Sequence, residues 1–503
     1  MSVSNAARAG QPSVIALNQA NLAHANPKIK TPQYDRAKLT TGIVHLGFGG
    51  FHRAHMARYT HELMEIDPSA LNWGIAGTGL MPSDKKMKDS LAPQDCLYTL
   101  VERDGKDEKV AIIGSVSQII YAGESTAALL AEIEKETTKI VSLTVTENGY
   151  CLNPTTKILD PEHKLIKQDL ATPEQPHSAI GVIVESYRRR RDKGLPAFTA
   201  LSCDNIQHNG HVLHDAVIAL AKLRDASLAE WIEQNASFPN TMVDRITPVT
   251  APGDIDHLRD AYQLDDKWPV VCESFTQWVI EDKFVASRPA WEKVGAQFVP
   301  DVEPYEVMKL RLLNASHLAI ACLGDVGGYT YIDETMADPR FQKFMAELMD
   351  RETGPTLAPV PGIDLPSYKK TLVERFANPA IKDTVERVAT DAPLNTVLAS
   401  IRDRLKADQS VDLLALTLAG WMRRIKGDLD EKGRQIRVHH PMADILKAKA
   451  TEGGSAPAAL LSITQLFGDL GQDKRLVEPL RKHLASIYEI GCFKTMDKVL
   501  ASY

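Results

Sequence analysis

Up to about residue 300, short apolar runs alternate with longer amphipathic stretches; beyond it only the amphipathic period remains. The runs 42–46, 73–79, 96–101, 110–113, 140–146, 198–203 and 270–272 have strand length and apolar character. The segments 56–66, 125–135 and 179–190 repeat their apolar positions every three to four residues and predict helices between those strands. Strands alternating with helices predict an α/β domain with a mostly parallel sheet. The pair of strands around 97–113, broken at Asp104-Gly105, predicts a hairpin. From 301 on, helical periodicity covers 304–323, 340–351, 368–376, 380–389, 411–426, 457–467 and 475–489. Two domains follow. Residues 1–300 are expected to form a Rossmann-type α/β domain, with 1–40 as an irregular polar lead-in. Residues 301–503 are expected to form a mainly α-helical domain.

The first predicted strand runs straight into Gly47-Phe48-Gly49-Gly50-Phe51-His52, and a helix follows. Strand, glycine turn and helix in that order make a phosphate site of the dinucleotide type. Gly47 permits the turn, and Gly49 lets backbone approach a pyrophosphate at the helix start. His52 stands where the third glycine of the motif would be. An acid after the second strand should hold the adenosine ribose hydroxyls, and Asp84 is the candidate. It favours NAD, although Lys85 and Lys86 beside it could tolerate a 2′-phosphate, and Asp84 could simply cap a helix.

Three further polar clusters follow apolar strands, where open α/β sheets bind ligands. They are Thr146-Glu147-Asn148-Gly149-Tyr150, Ser202 to Gly210 with Asp204 and Asn205, and Met242-Val-Asp244-Arg245. The segment Glu306-Val-Met-Lys309-Leu-Arg-Leu-Leu-Asn314-Ala-Ser-His317 sets four polar groups among leucines. On an α-helical wheel with Lys309 at the origin, Glu306 falls near ~60°, His317 near ~80° and Asn314 near ~140°. All four share an arc with Leu310 and Leu313, so they face a packed surface rather than water. A buried lysine is a candidate general base, because desolvation disfavours the ammonium form. A structural hydrogen-bond network between packed helices would produce the same pattern. Together, the clusters and this helix predict an active site between the two domains.

Composition narrows the classes. The chain is an ordinary globular one, 44% hydrophobic and 24% charged, with net charge −7. That argues against nucleic-acid or anionic-membrane partners. The run Arg188–Arg191 reads as the polar end of a helix. No apolar run matches a secretory signal or a membrane span. The six cysteines form no paired framework, which predicts a reducing, cytoplasmic location. His208, His211 and His214, and His52 with His55, lack the other ligands of a known zinc spacing, so no catalytic metal is expected.

Taken together, these residues resemble the polyol-specific long-chain dehydrogenase/reductase family, most closely its mannitol-oxidising members. The matching stretches are 42–55, 94–102, 142–150, 202–205, 242–248 and 308–314, with 378–387 and 419–423 in the second domain. The resemblance implies a metal-independent, NAD-linked interconversion of a mannitol-like sugar alcohol and a fructose-like ketose, by a monomer or small homo-oligomer. It implies that Lys309 is the general base, and that Asn205 and Asn314 bind the reacting oxygen. His317 would support Lys309, Glu306 would pass the proton on, and Asp244 and Arg387 would hold substrate hydroxyls. Gly47, Phe48, Gly49, Gly50, Phe51, His52, Asp84, Glu147 and Asn148 would contact the cofactor. Family members usually carry a lysine shortly after the position of Arg387; here the stretch is Asp391-Ala-Pro-Leu-Asn395. That departure puts the identity of the polyol in question, not the chemistry. A sugar-acid oxidoreductase of the fructuronate or altronate type is the nearest alternative, with Arg387, Arg423 and Arg424 as carboxylate partners. A non-catalytic nucleotide-binding protein is the other.

Overall fold

A computed structural model describes residues 14–154 and 156–503. The first thirteen residues of the expected lead-in lie outside that description. The chain divides into two compact units, one ending at Val302 and the other starting at Glu303.

The first unit is built on a five-stranded parallel sheet. Its strands are β1 (Thr41–Leu46), β2 (Gly74–Gly79), β3 (Val116–Tyr121), β4 (Ile140–Leu143) and β5 (Thr199–Ser202), in the order β3-β2-β1-β4-β5. The order reverses between β1 and β4, which makes the carboxyl ends of those two strands the switch point where such sheets bind ligands. Every residue of β1 is buried. Val44 and Leu46 pack on one face with Leu129, Ile183 and Leu213. Ile43 packs on the other with Tyr59 and Leu63. Burial on both faces is why these strands read as continuous apolar runs rather than alternating ones.

The hairpin forms as expected: Tyr98–Asp104 pairs antiparallel with Asp107–Ile113 in register Asp104↔Asp107, and Gly105 takes φ 58° at the turn. The sequence reading did not identify β3. It is an edge strand of mixed polarity, Val-Ser-Gln-Ile-Ile-Tyr, so it carries no continuous apolar run. The strand expected to reach residue 146 ends at Leu143; Val145 has already left the extended region at ψ 2°, and Thr146 then turns left-handed at φ 62°.

The basic run is not uniformly solvated. Arg188 and Arg189 bond Glu185, but Arg190 is fully buried. Its guanidinium donates to Pro196 O (2.7 Å), Ile133 O (2.8 Å), Lys135 O (3.0 Å) and Thr138 O (3.2 Å), closing the loop into β4.

The second unit is mostly helical. Glu303–Met308, a π-helical turn Lys309–Asn314, and Ala315–Val326 follow one another without a break. The last segment is almost wholly buried. It packs closely on Asp412–Ile425, since a Cβ on Gly420 would lie 2.5 Å from Leu323 Cδ2. The helix expected over 380–389 begins only at Val385. Thr384 caps it by accepting the Arg387 N–H at 3.2 Å.

Arg190→Leu should leave four carbonyls short of a donor, two of these contacts being buried, and cost about 3 kcal/mol in urea unfolding. Arg191→Leu should stay within about 0.5 kcal/mol of the wild type, as expected for a side chain at the surface. Equal losses in the two variants would show that the carbonyl cage contributes nothing particular.

Candidate functional site

In the first unit the sequence-predicted residues gather at the carboxyl edge of the parallel sheet. Gly47 sits at φ 85°, and a Cβ there would lie 2.1 Å from Thr144 O, so only glycine fits. Thr144 Oγ1 donates to Gly47 O at 2.9 Å and ties the ends of β1 and β4 together. Above the turn there is room. A Cβ on Gly49 would meet only Gly47 O, at 3.8 Å, and one on Gly50 only Thr247 Cγ2, at 3.8 Å. Helices Gly50–Ala54 and Met56–Ile66 follow, and the N–H groups of their first turn lack intrahelical acceptors. An open glycine backbone leading into free N–H groups fits a dinucleotide pyrophosphate.

Two members of the predicted set point inward instead. Phe48 is 4% exposed and covers Gly77, whose Cβ would lie 2.5 Å from its ring. His52 is buried and stacks on His45 at 3.4 Å between ring centroids; neither of its nitrogens has a partner. Any contact these two residues make with a ligand is therefore through backbone. Burial pushes His45 down to about 3 and His52 well below its ordinary value, with His45 adding to the shift of His52, so both rings are neutral. Phe51 stacks on His55 at 4.9 Å.

Asp84 follows β2 as expected, but Oδ2 already accepts the Met81 N–H at 2.9 Å and Ser83 Oγ lies 3.4 Å from Oδ1. Its carboxylate is held in place as a cap and keeps acceptor capacity for ribose. Glu147 and Asn148 are exposed in the turn after β4, where Glu147 pairs with Lys157 at 2.7 Å. Asn205 is exposed one residue beyond Asp204. Asp244 closes the strand Thr241–Asp244, 4% exposed, opposite Gln277.

The next residue, Arg245, is fully buried. It donates to Ala54 O (2.6 Å) and Glu273 O (2.9 Å) and pairs with Glu102, which locks the end of that strand to the first helix.

In the second unit Lys309, Glu306 and Asn314 are 7%, 7% and 6% exposed. The π turn changes the wheel predicted for them. Its bonds close from i to i+5, as in Ala315 N–H to Leu310 O, so each residue advances by less than an α-helical step. Asn314, five residues beyond Lys309, therefore returns toward the Lys309 face instead of lying far round the helix. Asn314 Oδ1 is buried without a partner. His317 packs on Phe376 with ring centroids 4.4 Å apart.

Arg387 Nε donates to the buried Asp383 at 2.7 Å and lines a cavity of about 390 Å³ with Thr384, Glu386, Thr390 and His439. The other two arginines considered for a carboxylate are engaged. Arg424 is buried on Asp325 at 2.7 Å, and Arg423 pairs with Asp428. His214 lies between Asp215 (2.9 Å) and Glu233 (3.1 Å); burial works to lower its pKa, but the two carboxylates outweigh it and the net shift is upward. No group of three or more His, Cys, Asp or Glu side chains that could hold a metal gathers among the described residues.

The sequence reading missed the left-handed Thr146, the π turn, and the bonding of Asp204 with Tyr150. Tyr150 alone left a trace in the sequence: an aromatic residue closing a polar loop. Its phenol is pushed up by burial and by Asp204, so it stays a neutral donor.

The mannitol dehydrogenase Rossmann-domain model matches residues 41–293, and the mannitol dehydrogenase C-terminal-domain model matches 301–488. Mannitol 2-dehydrogenase of Pyricularia oryzae is 41% identical over 485 residues, 95% of this chain and 96% of that protein. The Aspergillus oryzae enzyme of the same name is 41% identical over 500 residues, 97% and 99% of the two chains. The Pseudomonas fluorescens mannitol 2-dehydrogenase ternary complex with NAD and D-mannitol superposes with TM-score 0.89 at 41% identity, covering 97% of this chain and 100% of that one. A substrate-free D-sorbitol dehydrogenase superposes at 0.85 with 33% identity, covering 96% and 100%.

Gly49→Val puts a side chain into the open space over the turn without strain, since its backbone is extended at φ −94°. Its melting temperature should stay close to wild type while dinucleotide affinity falls by at least about tenfold, on loss of close backbone approach. Unchanged affinity would place the pyrophosphate elsewhere.

Proposed function

The chain belongs to the mannitol dehydrogenase family, and from that premise we propose that it is an NAD-dependent oxidoreductase of sugar alcohols, interconverting a mannitol-like polyol and its ketose without a metal. The observation that carries the chemistry is the buried lysine at the head of the π turn, on one continuous run of helix with Glu306, Asn314 and His317. Oxidising a secondary alcohol requires the hydroxyl proton to leave as hydride departs from carbon. When bound, the nicotinamide takes that hydride.

Lys309, as a neutral amine, accepts the hydroxyl proton at Nζ. The amide groups of Asn205 and Asn314 donate to the same oxygen as negative charge develops there. Asn314 suits this role because it is buried on the same run of helix as Lys309, and the N–H groups of its amide are donors. His317 orients Lys309, and Glu306 relays the proton onward. Asp244 and Arg387 take the other hydroxyls. The Gly47–Phe51 turn, Asp84 and the Glu147–Asn148 turn hold the cofactor, with Asp84 facing a free 2′-hydroxyl and so favouring NAD over its 2′-phosphorylated form.

The neutral polyol is preferred to a sugar acid because Arg387, Arg423 and Arg424 are already paired with Asp383, Asp428 and Asp325. A cytoplasmic location belongs to the same proposal, and the six unpaired, buried cysteines support a reducing compartment.

Lys309→Ala should lower turnover by about 10²–10⁴-fold while dinucleotide binding persists. The wild-type oxidation rate should rise with pH through one ionisation that the variant lacks. Small primary amines should restore part of the activity at pH values where they are neutral. Near-normal turnover, or an unchanged pH profile, would make the lysine structural.

A further inference from the structure

Among the buried acids of the first unit that the mechanism does not use, one stands at the carboxyl end of the parallel sheet. Asp204 lies just after β5, 6% exposed. Its carboxylate accepts three donors. They are the N–H of Val145 at 3.1 Å, the N–H of Thr146 at 2.8 Å and the hydroxyl of Tyr150 at 2.8 Å. All three donors belong to the turn that carries Glu147 and Asn148. Tyr150 itself is fully buried, and its hydroxyl also lies 2.6 Å from Ser202 Oγ.

The backbone of Asp204 is held from the other side. Asn209 Nδ2 donates to Asp204 O at 3.0 Å and to Thr241 O at 2.9 Å, while Thr241 N–H donates back to Asn209 Oδ1 at 2.9 Å. Asn209 in turn follows His208, which is left-handed at φ 53°.

Thr146 shows why the side-chain clamp matters. It is β-branched and left-handed at φ 62°, a conformation that such residues avoid. Strain of this kind persists only where the surroundings enforce it. The Asp204 carboxylate does so, by taking the two successive N–H groups at the bend. One residue thus fixes two loops at the carboxyl edge of the sheet, and the residue after it is Asn205.

We propose that Asp204 is a positioning residue: it bridges the 144–150 turn to the 202–209 loop and thereby sets where the Asn205 amide stands. This rests on the role given to Asn205 above. The bridge also explains the residue type. Glutamate would push the two loops apart, and asparagine offers one acceptor oxygen where three donors converge.

The test is a double-mutant cycle with Asn205, using the full-length protein and a saturating sugar alcohol. Asp204→Asn should reduce kcat by about 10²-fold, the cost of misplacing a group near the chemistry by about an ångström. Introduced into Asn205→Ala, the same change should cost less than about threefold, because the group it positions is gone. Tyr150→Phe removes one of the three donors and leaves the backbone clamp. It should cost a smaller factor that likewise disappears in the Asn205→Ala background, so the proposal stays testable if Asp204→Asn does not fold. Dinucleotide affinity and melting temperature report folding in each variant.

Full additivity of either change with Asn205→Ala would overturn the proposal, since a merely structural residue lowers both backgrounds alike. Loss of the lysine mechanism would show itself separately, as an unaltered pH profile in Lys309→Ala.

Discussion

An amine can be buried on a helix only where polar neighbours offset its desolvation, and the turn Lys309–Asn314 is built around that constraint. In a regular α-helix an amide five residues from Lys309 would lie well round the cylinder. The π turn closes one residue later and brings it back. The long buried helix that follows, Ala315–Val326, gives the turn a fixed base, clasped by Asp412–Ile425 at Gly420. π turns are rare and concentrate at functional sites because the unusual backbone must be maintained by its setting. Here that setting is a helix with almost no exposed residue.

The first unit solves a different problem with similar means. A parallel sheet exposes its carboxyl ends, and the loops there must be held without the help of a ladder. Glycine at position 47 lets two strand ends touch, and Thr144 bonds across them. Asp204 joins the next pair of loops, and Arg245 anchors the strand end beside Asp244. Asp204, buried at the loop base, stands next to the exposed Asn205, and Arg245, with its side chain fully buried, holds the strand end that carries the buried Asp244.

Much of this was legible in the sequence, for reasons specific to each element. Strands such as Thr41–Leu46 are buried on both faces and so are apolar throughout. The glycine turn was legible because no other residue allows its backbone. The edge strand Val116–Tyr121 was not, since half-burial leaves no run to see. Arg190 looked solvated among four arginines, and only the fold shows the carbonyls around it. Asp84 carried two readings in the sequence, and it caps the Met81 N–H while standing where a ribose ligand is expected. The four polar residues at 306–317 were visible as a group, but their mutual placement was drawn on the wrong helix. Hydrophobic spacing reports which face is buried, and it does not report how many residues close the turn.

That placement is the central claim, and moving the amide by one position tests it most directly. In an α-helical register, an asparagine at position 313 would lie on the side of Lys309 where the π turn places 314; in the π turn, position 313 falls on the opposite side of Lys309. The measurement is kcat for Leu313→Asn/Asn314→Ala beside Asn314→Ala alone, with dinucleotide affinity as the check on folding. The account predicts that the relocated amide restores nothing, leaving both variants impaired by about 10²-fold, as for loss of a donor to the reacting oxygen. Recovery of about tenfold or more by the double variant would show that the turn acts as an ordinary α-helix and would contradict the account.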